Sequence, residues 1–351
     1  MKTFFALTKR NIKVFFKDKG MFFTSLITPV ILLVLYVTFL AKVYRDSFAS
    51  ALPDGMSVPE KLVNGMVAGE LVTSLLAVSC VTVAFCSNLL MVMDKISGAR
   101  KDFLISPTRK STIAAAYFSG SLLTTLIVTY VATAACLVYV AVQGWYLSVG
   151  DVFLLLVDVF LLTSFGTALS SVVNVFLKTQ GQASGVGTIV SAGYGFICGA
   201  YMPIASFGKG LQNFISLLPG TYGTALMRNH ALRGVYEEMS SQGFPSEVVE
   251  AIKDSVDCNI YFFGDKVSEG AMYGVLVGAI VVLVAAYVLI NYLTSKSHRS
   301  IEDIARKTKR KSNKDEQKNR VKMLKNERWK HKNSTQKQQK SSKKYTDILR
   351  S

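Results

Sequence analysis

The sequence predicts an all-α integral membrane protein with six spans, and three observations carry that expectation. Half of its 351 residues are apolar and only 18% are charged, and the mean hydropathy is positive. The apolar residues gather into runs of about 20 or more, the length of helix that crosses a hydrocarbon core of about 30 Å. Lys and Arg are dense in some connecting segments and sparse in the alternating ones, the bias that sets membrane orientation. Backbone amides have no water to bond in hydrocarbon, so such runs must be helical.

Residues 3–19 read as an amphipathic helix in the headgroup layer. Phe5, Thr8, Ile12, Phe15 and Phe16 recur at spacings of three and four, with Lys9, Lys13 and Lys17 around the remainder. The apolar stretch at 4–7 is broken at once by Lys9 and Arg10, so it does not read as a signal peptide. This interfacial segment takes in residues 1–20 and the membrane domain 21–293. Expected spans are 21–41 (with Pro29 inside), 66–93, 112–142, 152–177, a Gly-rich 183–204, and 271–293.

Between the fifth and sixth spans, residues 205–268 are expected to be external. The apolar run 211–227 is too short to cross and is cut by Pro219-Gly220, so it predicts two re-entrant helices. Gly208, Gly210, Gly220 and Gly223 are expected at their bends. Residues 244–256 follow as a small helix with Pro245 in its first turn and Val248, Val249, Ile252 and Val256 on one face.

The first 20 residues hold six Lys/Arg and the loop 94–111 holds five. Segment 205–268 holds five against seven acids, a net of −2. Six spans with both termini cytoplasmic satisfy this bias. The net charge of +17 belongs mainly to residues 294–351, where 20 Lys/Arg stand against 6 Asp/Glu. That tail cannot bury a core and reads as disordered; its basic clusters suit anionic lipids. No nucleic-acid recognition fold accompanies the charge, so no nucleic-acid partner is expected.

The loop after the second span reads DKISGARKDFLISPTRK, residues 94–110. Asp94 and Lys95 open it, Gly98 follows, and Phe103, Leu104 and Ile105 precede Pro107, which stops a helix before it. A short surface helix with apolar knobs among charges suits docking of a soluble partner.

At these positions the chain resembles the type-2 ATP-binding-cassette exporter permeases, the bacterial six-span family. Asp94, Lys95, Gly98, Leu104 and Pro107 fall where that family has an acid–base pair, a glycine, an apolar helix and a proline. Ala99 and Asp94 replace the commoner Thr and Glu, and Tyr117 stands where a basic residue often lies. Residues 102–107 look closest to the drug- and antibiotic-export branch. Gly193, Gly195, Gly199 and Pro203, then Leu217-Leu218-Pro219, then Arg228, are similar to the family's C-terminal pattern.

The resemblance implies an exporter subunit in a bacterial cell membrane, dimeric with itself or a paralogue. Its ATPase partner would dock at Asp94, Lys95, Gly98, Phe103, Leu104, Ile105 and Pro107. Pro203, Pro219, Gly220 and Arg228 would form a re-entrant gate. The cargo would be amphipathic: a drug, a peptide antibiotic or a lipid-linked compound. No G-x-x-x-x-G-K-[ST] loop is present, so ATP and Mg are expected on the partner and no cofactor on this chain.

Asp158, in the middle of the fourth span, needs a cavity or a partner; it is the candidate substrate-pathway residue, or else an interhelical one. Glu70 is expected near an interface, and Arg228 at headgroup level. Asn88 and Asn174 read as interhelical hydrogen-bonding residues, and Gly166, Ala168 and Ser170 as close-packing ones. His230, His298 and His331 lie outside the spans, unpaired at ligand spacing. Four cysteines fall in apolar stretches and Cys258 in a polar loop, so neither a loop disulfide nor a metal site is expected. Two rival readings are a non-transporting membrane anchor or sensor acting through the basic tail, and a membrane-embedded lipid-modifying enzyme. Sparse ionisable residues argue against the second.

Overall fold

The computed structural model describes residues 1–50, 58–106, 108–294 and 323. Helix α1 spans Lys2–Lys17. Asp18 then caps α2 (Lys19–Leu35), accepting from the Met21 amide at 3.1 Å. A π-helical turn, Tyr36–Leu40, joins α2 to α3 (Ala41–Ser50). Then come α4 (Glu60–Ile96), α5 (Ala99–Ile105), α6 (Lys110–Gln143), α7 (Val149–Phe176) and α8 (Gln180–Ile197). A 3-10 turn at Ile204–Ser206 precedes α9 (Lys209–Ile215), α10 (Pro219–Ser241) and α11 (Ser246–Ser255). A hairpin of β1 (Tyr261–Phe262) and β2 (Asp265–Lys266) leads into α12 (Glu269–Thr294).

Residues Met1–Asn291 form one compact unit. In the second, Tyr292–Ser351, the described residues are the end of α12 and Met323. The expectations for the basic tail, His298 and His331 therefore lie outside the described residues.

Among the described residues five helices are long and apolar enough to cross a membrane: Lys19–Asp46, α4, α6, α7 and α12. The chain is thus an all-α integral membrane protein. Six spans were expected, and the difference lies at the fifth. Helix α8 ends at Ile197 rather than 204 and is 18 residues long, about 27 Å at 1.5 Å per residue. Gln, Ser and five glycines also dilute its apolar character.

Helix α4 forms the centre, buried almost throughout, with α2, α6, α7, α8 and α10 around it. At 37 residues it is about 55 Å long and outreaches the hydrocarbon, which carries Asp94, Lys95 and α5 beyond it. Gly166 lets α7 approach α4 closely. A Cβ there would lie 2.9 Å from the Cys80 carbonyl oxygen and 3.0 Å from Val81 Cα. Ala168 and Ser170 are buried beside it, and Asn88 Nδ2 donates to Ser170 Oγ and Ser171 Oγ at 3.0 and 2.7 Å. These close-packing and interhelical expectations are met. Asn174 differs: neither atom of its buried amide has a partner among the described residues.

Three further expectations are corrected. Helix α1 packs on α6, with Asn11 donating to the Ala116 carbonyl at 3.1 Å. Its inward face is Leu7, Thr8, Asn11, Val14 and Phe15, while Phe5 and Phe16 face outward. Gly220 and Gly223 sit inside one 23-residue helix, α10, rather than at bends; a Cβ on Gly220 would come 2.6 Å from the Tyr194 hydroxyl of α8. Cys258, although in a polar segment, is buried with its sulfur 3.2 Å from the Tyr236 hydroxyl. The small helix after Pro245 forms as expected, with Val249 and Ile252 inward.

Candidate functional site

The segment 94–106 is built around left-handed Gly98, whose φ of +88° turns the chain from α4 into α5. Asp94 is buried, accepts from the Tyr117 hydroxyl at 2.6 Å and pairs with Arg10 of α1 through both carboxylate oxygens. Lys95 Nζ donates to the carbonyls of Asn174, Val175 and Leu177 at 2.9, 2.8 and 3.3 Å, covering the orphan C=O groups where α7 ends. Tyr117 thus occupies the position expected to be basic and supplies a hydroxyl to the same carboxylate. Phe103 packs near Leu90, Met91, Ile113 and Tyr117 under the Arg10 guanidinium, 5.4 Å from its ring centroid.

Of the residues expected to dock, Asp94 and Lys95 therefore tie the end of α4 to α1, α6 and α7, and Phe103 seats α5 against α4 and α6. The face presented outward carries Lys101, Asp102 and Ile105, the last 83% exposed. Pro107 and the Leu104 side chain lie outside the described residues.

A cavity of about 780 Å³ opens between α2, α4 and α8. Its wall is mixed, with Ile27 and Thr28 from α2, Cys86 and Leu89 from α4, and Gly187 and Thr188 from α8. Asp158 is not part of that wall. It is fully buried, accepts from the Tyr273 hydroxyl at 2.7 Å, and lies 2.5 Å from His230 Nδ1, within hydrogen-bonding distance. His230, expected outside the spans, is buried and bridges α10 to α7.

Glu70 is not wet: it and Arg228 are both buried within the protein. Arg228 Nε lies 2.7 Å from Glu70 Oε1, off the line of a hydrogen bond, so the contact is an ion pair. Arg228 Nη1 is 3.4 Å from Asp257 Oδ2, and Nη2 donates to the Gly199 carbonyl at 2.7 Å and Ser74 Oγ at 3.3 Å. Asp257 in turn accepts from the Ile204 and Ala205 amides at 2.7 and 3.2 Å. Burial pushes the Asp257 carboxyl up, opposed by Arg228 and these two amides. The turn after α8 is thus tied to α4 and α10 by buried charge. Pro203 and Pro219 flank this turn, opening the 3-10 turn and α10.

A family model described as ABC-2 type transporter matches residues 2–231. The chain belongs to the ABC-2 type transporter family. Members are membrane permease components of ABC transporters, transport subunits that typically pair with an ATP-binding-cassette subunit. The matched part of this ABC-2 permease runs from α1 into α10, so α11, the hairpin and α12 follow it. Comparison with curated proteins finds no match.

Helix α10 of the ABC-2 permease is the element the sequence conceals. It has no apolar stripe, yet it is buried because its bases meet acids on three neighbours. Arg228 pairs with Glu70, His230 with Asp158, and half-exposed Arg233 with Asp151 of α7 and Glu269 of α12. One signal was available: Glu70 and Asp158 in apolar runs each require a counter-group. Which base answers each acid is decided by distances of 158 and 72 residues along the chain.

Proposed function

We propose that this permease exports an amphipathic compound, such as a drug, peptide antibiotic or lipid-linked molecule, through the α2–α4–α8 cavity. Two copies, or this chain and a paralogue, face each other across that cavity in a bacterial cell membrane, with both termini cytoplasmic. An ATPase subunit holding ATP and Mg grips α5 and α1. Its closure tilts α2, α4 and α8, and the turn held by Arg228 serves as the outer gate, with Pro203, Pro219 and Gly220 shaping its helices. The cavity suits such cargo because hydroxyls and aliphatic groups alternate on its wall.

The observation that carries this reading is the outward face of α5. Ile105 stands 83% exposed at the end of a helix that Phe103 packs onto the bundle, directly after the end of α4 that Asp94 and Lys95 fasten. An apolar knob on a rigid support can transmit a push. Substituting Leu104 and Ile105 together by Asp is expected to abolish co-purification of the ATPase subunit while membrane insertion is unchanged. Persistent association would overturn the docking role.

A further inference from the structure

We propose that the hairpin between α11 and α12 is a membrane anchor whose aromatic tip, Phe262 and Phe263, seats in the phospholipid interface where α12 begins. The register pairs Tyr261 with Lys266 and Phe262 with Asp265, leaving Phe263-Gly264 as a two-residue loop. Both loop residues have positive φ, 51° and 108°. Loops of this kind favour Asn-Gly, because side chains with a Cβ resist that backbone and a bulky aromatic resists it most. Phe263 holds the strained position nonetheless, and strain of this sort persists where it serves a purpose.

The side chains point to that purpose. Tyr261, Phe262 and Phe263 are 42%, 43% and 63% exposed, and the two Phe rings meet edge to face at 4.9 Å as one apolar knob. The base of the hairpin is fastened, so the knob cannot fold back. The Val267 amide donates to the Ile260 carbonyl at 2.9 Å, the Tyr261 hydroxyl donates to Asp254 at 3.0 Å, and Lys266 pairs with Glu250.

Two residues separate β2 from α12, whose outward apolar side chains begin at Val275. Six residues of helix are about 9 Å, so the knob is tethered close to the level where hydrocarbon starts. Aromatic rings at that level are interfacial anchors.

The test places a Phe263→Trp reporter in the full chain carrying Trp145→Phe, with the Trp329 background subtracted using the parent variant. In phosphatidylcholine nanodiscs the emission is expected to be blue-shifted. It should also fall roughly two-fold when the lipids are brominated near the ester end of their acyl chains. Emission typical of water, quenched by iodide and indifferent to brominated lipid, would overturn the anchor. So would a signal that changes between discs holding one copy and discs holding two, which would assign the knob to a second chain. Phe262→Trp reads the same knob from the paired strand should the apex substitution disturb the turn.

Discussion

Arg228 holds two carboxylates and a backbone carbonyl at once inside a fully buried site, and removing it would strand Glu70 and Asp257 as uncompensated charges. Arg228→Gln is therefore expected to lower stability by about 3–5 kcal/mol, read as thermal unfolding in detergent. Ser74→Ala, which removes a 3.3 Å contact from Arg228 and a 3.4 Å contact to Glu70, should cost about 1 kcal/mol; equal effects would mean the charges contribute nothing special. Glu250 offers a pH dependence. The Lys266 ammonium holds its carboxyl below the usual value, with Lys253 and Asn259 adding to the effect. A folded pKa below the unfolded one stabilises above the ordinary carboxylate range and is lost as pH falls through the folded value. Deuterium exchange at the hairpin amides, corrected for intrinsic rates, should thus accelerate on acidification below about pH 4.3. In Glu250→Gln it should already be fast and flat with pH.

Helices α4 and α7 meet through small residues, and the space at Gly166 is closed by backbone atoms, which cannot swing aside as a side chain can. Gly166→Ala is expected to push the two helices apart at a cost of about 1–3 kcal/mol, seen as a lowered unfolding temperature. Gly187, with nothing near its missing Cβ, should accept Ala without loss. That α7 packs closely on a neighbour was legible because small and hydroxyl residues in a span exist for close approach; that the neighbour is α4 was not. Helix α10 was not. Its residues lack apolar periodicity, and a sequence window shows its bases without the acids that answer them, which come from α4, α7 and α12.

Much of the bundle's lateral surface is apolar on two separate faces, and the two carry different expectations. Ile27, Val30, Ile31 and Val34 of α2 and Ile189 of α8 border the cavity side, whereas Val281, Val282 and Val288 lie on α12. If two permeases face each other across the cavity, Ile189→Cys in a cysteine-free chain should form an intermolecular disulfide in membranes, and Val282→Cys should not. The reverse pattern would move the pairing face to α12. Removing residues 300–351 should leave transport and ATPase association largely intact, since the docking helices α1 and α5 and the contacts that hold them lie before residue 178. Loss of both would favour the anchor or sensor reading.

Local chemistry alone decided the membrane class, the five long helices, the turn into α5 and the small helix after Pro245. Each depends on residues within one window: an apolar run, a glycine, a proline. Tertiary structure alone decided that Asp94 meets Arg10 and Lys95 the end of α7, that Glu70 and Arg228 are buried together, and that Asp158 answers His230. A charge in hydrocarbon announces that it needs a partner, but the partner's identity is a long-range distance, and only packing sets that.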